Sequence, residues 1–586
     1  MEPRYIMSRL SEILAKGKER AAAIAAISSS ASISSSSIES SSSIIESSTL
    51  PNDSSNQHYG IDRYGKSIQW NDEQWQFISI ATSGKSAILI GAAGTGKTTT
   101  MQGTVSELLR TKHFPPMQDH HKHLPINSPG IVFVSYTRRA VMNLRRALPE
   151  DIKGNCITIH KLLEYQPVFY EIEDPLHPGE SKKTMRFEPN RCQSNPLDSA
   201  IHTVVFDESS MVDVPLFHKV WSALPNPSAV QFIFLGDIQQ LPPIFGSAIL
   251  GFKMLSLPVV ELTQVYRQAL ESPIIRLAHR ILSGKVIPVS EFNEWKVESK
   301  LTLHPWKKKI SADSALLTIA AFFKRGYDTS NYSPDEDMIL IPFNKACGTI
   351  ELNKHIANHI ARKKNLVTHE VIAGFNKHYF SIGDKILYEK EDAEIISIAR
   401  NPVYSGKWPQ HASNMLDYWG CLQSSSTTES DHHLIQEETE SEEDIDTMLS
   451  AIAASDSDER VRDASHIIKV RLLDSDREVE LKSAADMNSI VMAYALTVHK
   501  SQGSEWRKVF FILHQSHNTM IQRELMYTAC TRAREELYVI CEPDSFEKGI
   551  TGQRIRGNTL TEKAQFFKGK LESGDSDLIS IMENGE

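Results

Sequence analysis

Phosphate chemistry is written most plainly in Gly91-Ala-Ala-Gly94-Thr-Gly96-Lys97-Thr98. Glycines at these positions let the backbone curl until its N–H groups point inward, which suits the oxygens of a polyphosphate. Lys97 supplies a cation for the β- and γ-phosphates, and the Thr98 hydroxyl is a ligand for Mg²⁺. The flanks are those the pattern requires. Ala87 to Ile90 is an apolar run that reads as a buried parallel strand, and Thr99 to Arg110 suits a helix whose N-terminus would face the same anion. Gly91, Gly94, Gly96, Lys97, Thr98 and Thr99 are therefore expected to hold ATP with Mg²⁺.

Two further stretches carry hydrolytic chemistry. Val204-Val-Phe-Asp207-Glu208 puts two carboxylates at the C-terminal end of a strand, where open α/β sheets bind their ligands. Asp207 suits a Mg²⁺ contact and Glu208 a base that polarises the attacking water. Alone, such a pair is as often a solvated edge; downstream of a P-loop it points to hydrolysis. In Leu235-Gly-Asp237-Ile-Gln-Gln240-Leu-Pro-Pro243 a strand end runs into a tight turn that presents the Gln240 amide to a γ-phosphate. Upstream, Asn71-Asp-Glu-Gln74 heads a helical pattern, with Asn71 placed as N-cap and Gln74 at N3 of a capping box.

Parallel sheets covered on both faces would position these groups. Buried-strand patterns recur at Ile131 to Ser135, Thr203 to Phe206 and Gln231 to Leu235, then at Met338 to Ile341, Val509 to Leu513 and Leu537 to Cys541. Their two groupings predict two α/β domains. Two interruptions break the rhythm. Pro167 to Asp174 and Lys182 to Pro189 alternate as a β-hairpin would, around a turn-rich Pro175 to Ser181. From Ala373 to Asn488, strand-like pieces at Phe380 to Tyr388, Ile467 to Leu473 and Glu478 to Leu481 suggest a small β-barrel.

Length and composition set bounds. A chain of 586 residues exceeds one hydrophobic core and implies three or four domains. Its six cysteines include no CxxC pair, which argues against a zinc site, an iron–sulfur cluster or a disulfide framework and fits a reducing, cytoplasmic compartment. No apolar run approaches the roughly 20 residues that span a bilayer, so no membrane partner is expected. The formal charge of −10 is uneven: twelve acidic residues and no Lys or Arg lie between Glu429 and Glu459, and without them the chain sums to +2. A polyanionic partner thus stays open. Residues 1 to 60 are expected to be a Ser-rich disordered tail, with Tyr5 to Ile27 as a short helix. A mitochondrial presequence is the weaker reading, because Glu2, Glu12 and Glu19 interrupt its basic character.

The motifs taken in order resemble those of the superfamily 1 helicases, most closely the RecD/Dda branch, superfamily 1B. Glu261-Leu-Thr-Gln-Val-Tyr-Arg267-Gln268, Ala495-Leu-Thr497-Val-His499-Lys-Ser-Gln-Gly503-Ser-Glu505-Trp506 and Met526-Tyr-Thr-Ala-Cys-Thr531-Arg532-Ala-Arg534 complete the set. The resemblance spans roughly residues 67 to 545. It implies an α/β fold of two RecA-like P-loop domains carrying an inserted β-hairpin and an inserted SH3-like β-barrel. The expected bounds are 61–268 for the first domain with the hairpin at 164–199, and 269–372 with 489–586 for the second, ending in a C-terminal tail. The barrel would occupy 373–488 and carry an acidic disordered segment at 422–465.

By the same resemblance Gln74 would read adenine, Glu505 would touch ribose, and Arg267 and Arg532 would act as arginine fingers across the cleft. Ser135-Tyr-Thr137, Thr158 with His160, and Thr497 with His499 would contact the phosphates of a single strand, although each hydroxyl serves as well as a helix cap. Tyr136 stands where the family usually has proline. Phe169, Tyr170 and His177 are candidates for a hairpin that parts a duplex. The implied activity is an ATP-dependent DNA helicase, moving 5′-to-3′ on single-stranded and partially duplex DNA, with protein partners recruited through the tail and the acidic insertion. An RNA helicase of the same superfamily and a non-unwinding ATPase switch or loader are the alternatives.

Overall fold

The computed structural model describes residues 58–61, 67–173, 181–243, 246–265, 271–292, 300–305, 310–374, 376–388, 391–404, 463–473 and 477–573. The Ser-rich start, Arg267, His177 with the rest of the hairpin tip, and residues 405–462 of the acidic insertion lie outside the described residues.

Six parallel strands build the first sheet: β1 (Ala87–Gly91), β2 (Ile131–Ser135), β3 (Cys156–Thr158), β4 (Thr203–Asp207), β5 (Gln231–Gly236) and β6 (Val259–Leu262). Their order is β6-β1-β5-β4-β2-β3. Apolar side chains alternate between two cores. Ile88, Ile90, Val132 and Val134 enter one, while Ala87, Leu89, Ile131 and Phe133 enter the other, on the opposite face. That double burial is why these strands read as unbroken apolar runs. The second sheet is also parallel: β7 (Leu301–Pro305), β8 (Asp337–Ile341), β9 (Ala495–Thr497), β10 (Trp506–Leu513) and β11 (Ala533–Cys541), in the order β7-β11-β10-β8-β9. Two such sheets, each covered on both faces by helices, fit two RecA-like units.

Antiparallel pieces interrupt both units. Gln166–Glu173 pairs with Ser181–Glu188 from Gln166↔Glu188 to Glu173↔Ser181. Later, Arg477–Ser483, Asp463–Leu472, Glu391–Arg400, Lys385–Tyr388 and Val491–Met492 form a five-stranded sheet in that order. The strand pair Thr368–Ala373 and Asn376–Ser381 shares its core through Val371, Ala373 and Phe380. The piece expected as one strand from Phe380 to Tyr388 is in fact two, because Gly383 at φ 84° reverses the chain between them.

Helices that bear on the site are α1 (Asp72–Thr82), α2 (Lys97–Thr111), α3 (Arg138–Ala147), α4 (Ile249–Lys253), α5 (Arg523–Cys530) and α6 (Leu560–Glu572). Residues 560–572, which the expected bounds put with the second unit, pack on the first; residues 574–586 lie outside the described residues. Leu560, Ala564, Phe567 and Leu571 recur at helical spacing and give α6 an apolar stripe that must be covered. It is covered by the core of the first sheet, where Phe567 is 2% exposed and meets Phe252 edge to face at 5.2 Å. A Cβ at Gly251 would stand 2.2 Å from the Phe567 ring, so the absence of a side chain there permits the approach. Arg523 and Glu524 hold the connecting strap: Arg523 Nη1 donates to Asn558 Oδ1 at 2.6 Å, and Glu524 accepts the Ile555 N–H at 3.1 Å. Phe567→Ala is expected to lower unfolding stability by about 3 kcal/mol through the cavity it leaves. Urea denaturation checks this; a change within about 0.5 kcal/mol would mean that α6 is dispensable to the first unit.

Candidate nucleotide and nucleic-acid site

The P-loop follows β1 and turns through two left-handed glycines, Gly94 at φ 81° and Gly96 at φ 88°, into α2, which begins at Lys97. Gly91 is also sterically required, since a Cβ there would lie 2.4 Å from Thr95 Oγ1. The Lys97 ammonium folds back onto the loop, donating to the Gly91 carbonyl at 2.6 Å and the Ala92 carbonyl at 3.2 Å. Both acceptors are neutral carbonyls, whereas a phosphate would offer the same ammonium a charged acceptor. Thr98 is exposed and Thr99 half-buried.

Sheet order brings the remaining polar groups beside this loop. Strand β5 neighbours β1 and β4 lies next to β5, so the turns after all three emerge at one edge. Burial, and then the adjacent Glu208 carboxylate, raise the pKa of Asp207 well above the usual carboxylate range. A divalent cation is the natural counter-charge for such a pair. Glu208 sits at φ 51°, a strained conformation for a residue with a side chain, and its Oε2 is buried without a hydrogen-bond partner in the protein. The same is true of Gln240 Oε1 and of Gln74 Nε2. Gln74 does close the capping box: its N–H donates to Asn71 Oδ1 at 2.8 Å, and its Oε1 accepts the Asn71 N–H at 3.2 Å. The box uses the oxygen and leaves the amide nitrogen over, so capping and a donor role for a base edge are compatible.

Groups from the second sheet enter this edge. Tyr527 on α5 is fully buried; its hydroxyl accepts the Ala93 N–H of the P-loop at 2.7 Å and donates to Asp237 Oδ2 at 2.6 Å. Burial, reinforced by the Asp237 charge, holds this phenol protonated. Leu241, next to Gln240, is gripped twice: its N–H donates to Thr528 Oγ1 at 3.0 Å and its carbonyl accepts from Gln502 Nε2 at 3.0 Å. Arg532 is buried at the end of α5, where Nε donates to the Thr528 carbonyl at 3.0 Å, Nη1 to the Ser504 carbonyl at 3.1 Å and Nη2 to Thr531 Oγ1 at 3.1 Å. All three acceptors belong to its own unit. Glu505 is exposed beside Ser504.

The residues matched to strand contacts divide. Ser135 stands across from Thr158 on β3 and Asp207 on β4, so Thr137 and Thr158 leave the sheet at the same edge as the carboxylates. Both hydroxyls cap short helices, Thr137 toward the Ala140 N–H and Thr158 toward the Lys161 N–H, each at 3.2 Å. A capping hydroxyl accepts, and its proton remains to be given elsewhere. His160 meets Tyr136 at 5.7 Å and Tyr165 at 5.0 Å in an aromatic group on this rim. Opposite, Thr497 ends β9, and His499 has its pKa pushed down to about 4, by burial first and Arg554 second, so it is a neutral imidazole near pH 7. Gly503 joins the two rims, where a Cβ would stand 2.6 Å from Thr137 Oγ1. Phe169 and Tyr170 lie on the first hairpin strand. Sequence reasoning gave no role to Tyr527, Asp237 or Thr528, although all three fall inside the motifs quoted; the bonds that join them across the two units run to residues more than 200 positions away, and no local pattern signals those.

Residues 74–246 match the AAA domain family, and residues 492–540 the UvrD-like helicase C-terminal domain family. The "ATP-dependent RecD2 DNA helicase" of Deinococcus radiodurans is 24% identical over 491 residues, covering 83% of this chain and 51% of the relative. The "RecBCD enzyme subunit RecD" of Haemophilus influenzae is 23% identical over 513 residues, 84% of this chain and 72% of the relative. This chain therefore spans about half the length of the first relative. A Bacteroides Pif1 helicase solved with ADP-AlF3 and single-stranded DNA covers 86% of this chain and 98% of its own, at 14% identity and a TM-score of 0.43. With the two family matches in motor order and RecD-type relatives aligned along more than four-fifths of its length, the chain is similar to the superfamily 1B helicases of the RecD type, and these matches support the resemblance its motifs carry.

Proposed function

We propose that this chain is an ATP-dependent DNA helicase that moves 5′-to-3′ along a single strand and separates duplex ahead of it. The observation that carries the nucleotide half of this reading is the set of three buried, unpartnered polar atoms about the P-loop: Gln74 Nε2, Glu208 Oε2 and Gln240 Oε1. Leaving one such group unpaired costs about 1–3 kcal/mol, a cost that a bound nucleotide and its attacking water would relieve at all three. Gln74 would then read the adenine edge, with Glu505 at the ribose. The turn through Gly91, Gly94 and Gly96 would cradle the phosphates, and Lys97 would swing from the Gly91 carbonyl to the β/γ oxygens. The donor set of Thr98 and Asp207, a hydroxyl and a carboxylate, fits Mg²⁺, which when bound would offset charge on the transferring phosphoryl group.

Glu208 would orient the attacking water and accept its proton as the water oxygen bonds to the γ-phosphorus and ADP leaves. Gln240 would report the γ-phosphate, and Arg267 and Arg532 would enter from the second unit's side of the cleft. Thr137, Thr158, His160, Thr497 and His499 would hold the strand. Closure on ATP and opening after hydrolysis would then shift these two grips alternately along it. In this reading the five-stranded piece is an SH3-like barrel, and the hairpin carrying Phe169, Tyr170 and His177 is the wedge. The domain bounds are those expected above, except that α6 joins the first unit, the first unit reaches back to His58–Ile61, and the barrel takes in Thr368–Ala373 and Val491–Met492.

The test is unwinding of partial duplexes bearing either a 5′ or a 3′ overhang, with ATPase measured on single-stranded DNA and RNA. A 5′ overhang preference with stimulation by DNA supports the proposal. A 3′ preference would overturn the polarity, stronger stimulation by RNA would shift the substrate, and ATPase without unwinding would leave a switch or loader.

A further inference from the structure

We propose that Tyr527 is a positioning residue that ties the phosphate loop to the Gln240 turn and sets where Arg532 stands when the cleft closes. This rests on the function proposed above and adds to it a residue that neither binds nucleotide nor reacts.

One oxygen atom spans the cleft. The Tyr527 hydroxyl takes the Ala93 N–H, on the P-loop three positions before Gly96, and gives its proton to Asp237, three positions before Gln240. Asp237 in turn shapes the Gln240 turn, with Oδ1 accepting the Gln239 N–H at 3.0 Å and its carbonyl accepting the Gln240 N–H at 3.0 Å. A shift of Ala93 when phosphates enter the loop would therefore move a buried hydroxyl whose second bond ends on the carboxylate governing Gln240. Since Tyr527 is fully buried, no solvent would absorb the displacement.

The same helix fixes Arg532. The next residue, Thr528, holds the Leu241 N–H through its side chain and Arg532 Nε through its carbonyl. Position along α5 is thus set by Tyr527 and Thr528 together, and Arg532 follows one turn later. If the Tyr527 hydroxyl is lost, the P-loop keeps its backbone, Arg532 keeps its three bonds, and only the registration between the two units loosens. The effect should appear in the transition state, where Arg532 must meet the phosphoryl group, and not in nucleotide affinity.

Tyr527→Phe removes one atom and keeps the ring. Its kcat for DNA-stimulated ATP hydrolysis is expected to fall about tenfold while KM for ATP stays within about threefold. In an Arg532→Ala background, followed under single-turnover conditions, the same substitution should cost less than about twofold, because the two act as one unit. A kcat unchanged by Tyr527→Phe, or an equal loss in both backgrounds, overturns the proposal. Thermal unfolding guards against a folding artefact: Tyr527→Phe should melt close to wild type, and a kcat loss seen only together with a clearly lowered melting temperature overturns the proposal. Wild-type ATPase is measured first; if it is absent, the functional reading fails and not the Tyr527 assignment.

Discussion

Glu208→Gln is expected to bind MgATP nearly as tightly as the natural sequence and to turn it over about a thousandfold more slowly. A general base contributes roughly 10²–10⁴ to a rate, and the middle of that range corresponds to about 4 kcal/mol of barrier. The substitution suits the geometry. Glutamine keeps the length and one oxygen of the side chain, so the strained backbone at φ 51° and the neighbouring Asp207 need not move. What it removes is the proposed proton acceptor. Lys97→Ala provides the contrast, because it deletes a cation that ATP would engage in the ground state as well, so nucleotide binding should weaken together with hydrolysis. Titration with a fluorescent ATP analogue beside phosphate-release kinetics separates the two. Turnover of Glu208→Gln within about threefold of wild type would mean that another group takes the proton, and Asp207 would be the first to reconsider.

How far the sequence disclosed this site depends on the distance over which each feature is determined. The P-loop is local: glycine spacing sets its turns, and Gly94 and Gly96 take the left-handed conformations that only such residues adopt cheaply. Strands β1, β2, β4 and β5 are legible too, since burial on both faces leaves them unbroken apolar runs. The short strand Cys156–Thr158 and the edge strands Val259–Leu262 and Leu301–Pro305 escape the reading. Three to five residues at a sheet margin carry too little pattern to distinguish them from loop. The docking of α6 is harder still. Its stripe announces that the helix must be covered, yet nothing in Leu560 to Glu572 says by which unit; that answer lies in the missing side chain of Gly251, some 300 residues earlier. Tyr527 belongs to the same class. Its motif is visible, but its two partners are fixed by how the units pack.

Arg532→Lys is expected to lose at least a hundredfold in kcat, despite keeping the charge, and the reason lies in what the guanidinium does in this structure. All its nitrogens are occupied within the second unit, on the carbonyls of Thr528 and Ser504 and on Thr531 Oγ1. An arginine finger must leave at least some of these acceptors to meet a γ-phosphate, so its work would be gated by cleft closure. Neutral carbonyl acceptors make that exchange favourable, because hydrogen bonds to a phosphate oxygen are roughly twice as strong as those to an uncharged one. Lysine has three donors on one atom and cannot keep Thr528 while turning toward phosphate, as a planar fork can. Loss of such a finger costs on the order of 10³–10⁵ in rate, and lysine should recover only a small part. Two measurements distinguish this from a purely structural clamp on the Ser504 turn. Thermal unfolding of Arg532→Lys should remain close to wild type, and ADP affinity should change little, while binding of an ADP–fluoroaluminate transition-state mimic should weaken by about the same factor as kcat. If stability falls and the mimic binds as before, Arg532 is a clamp and the finger must be sought elsewhere, with Arg267 the next to substitute.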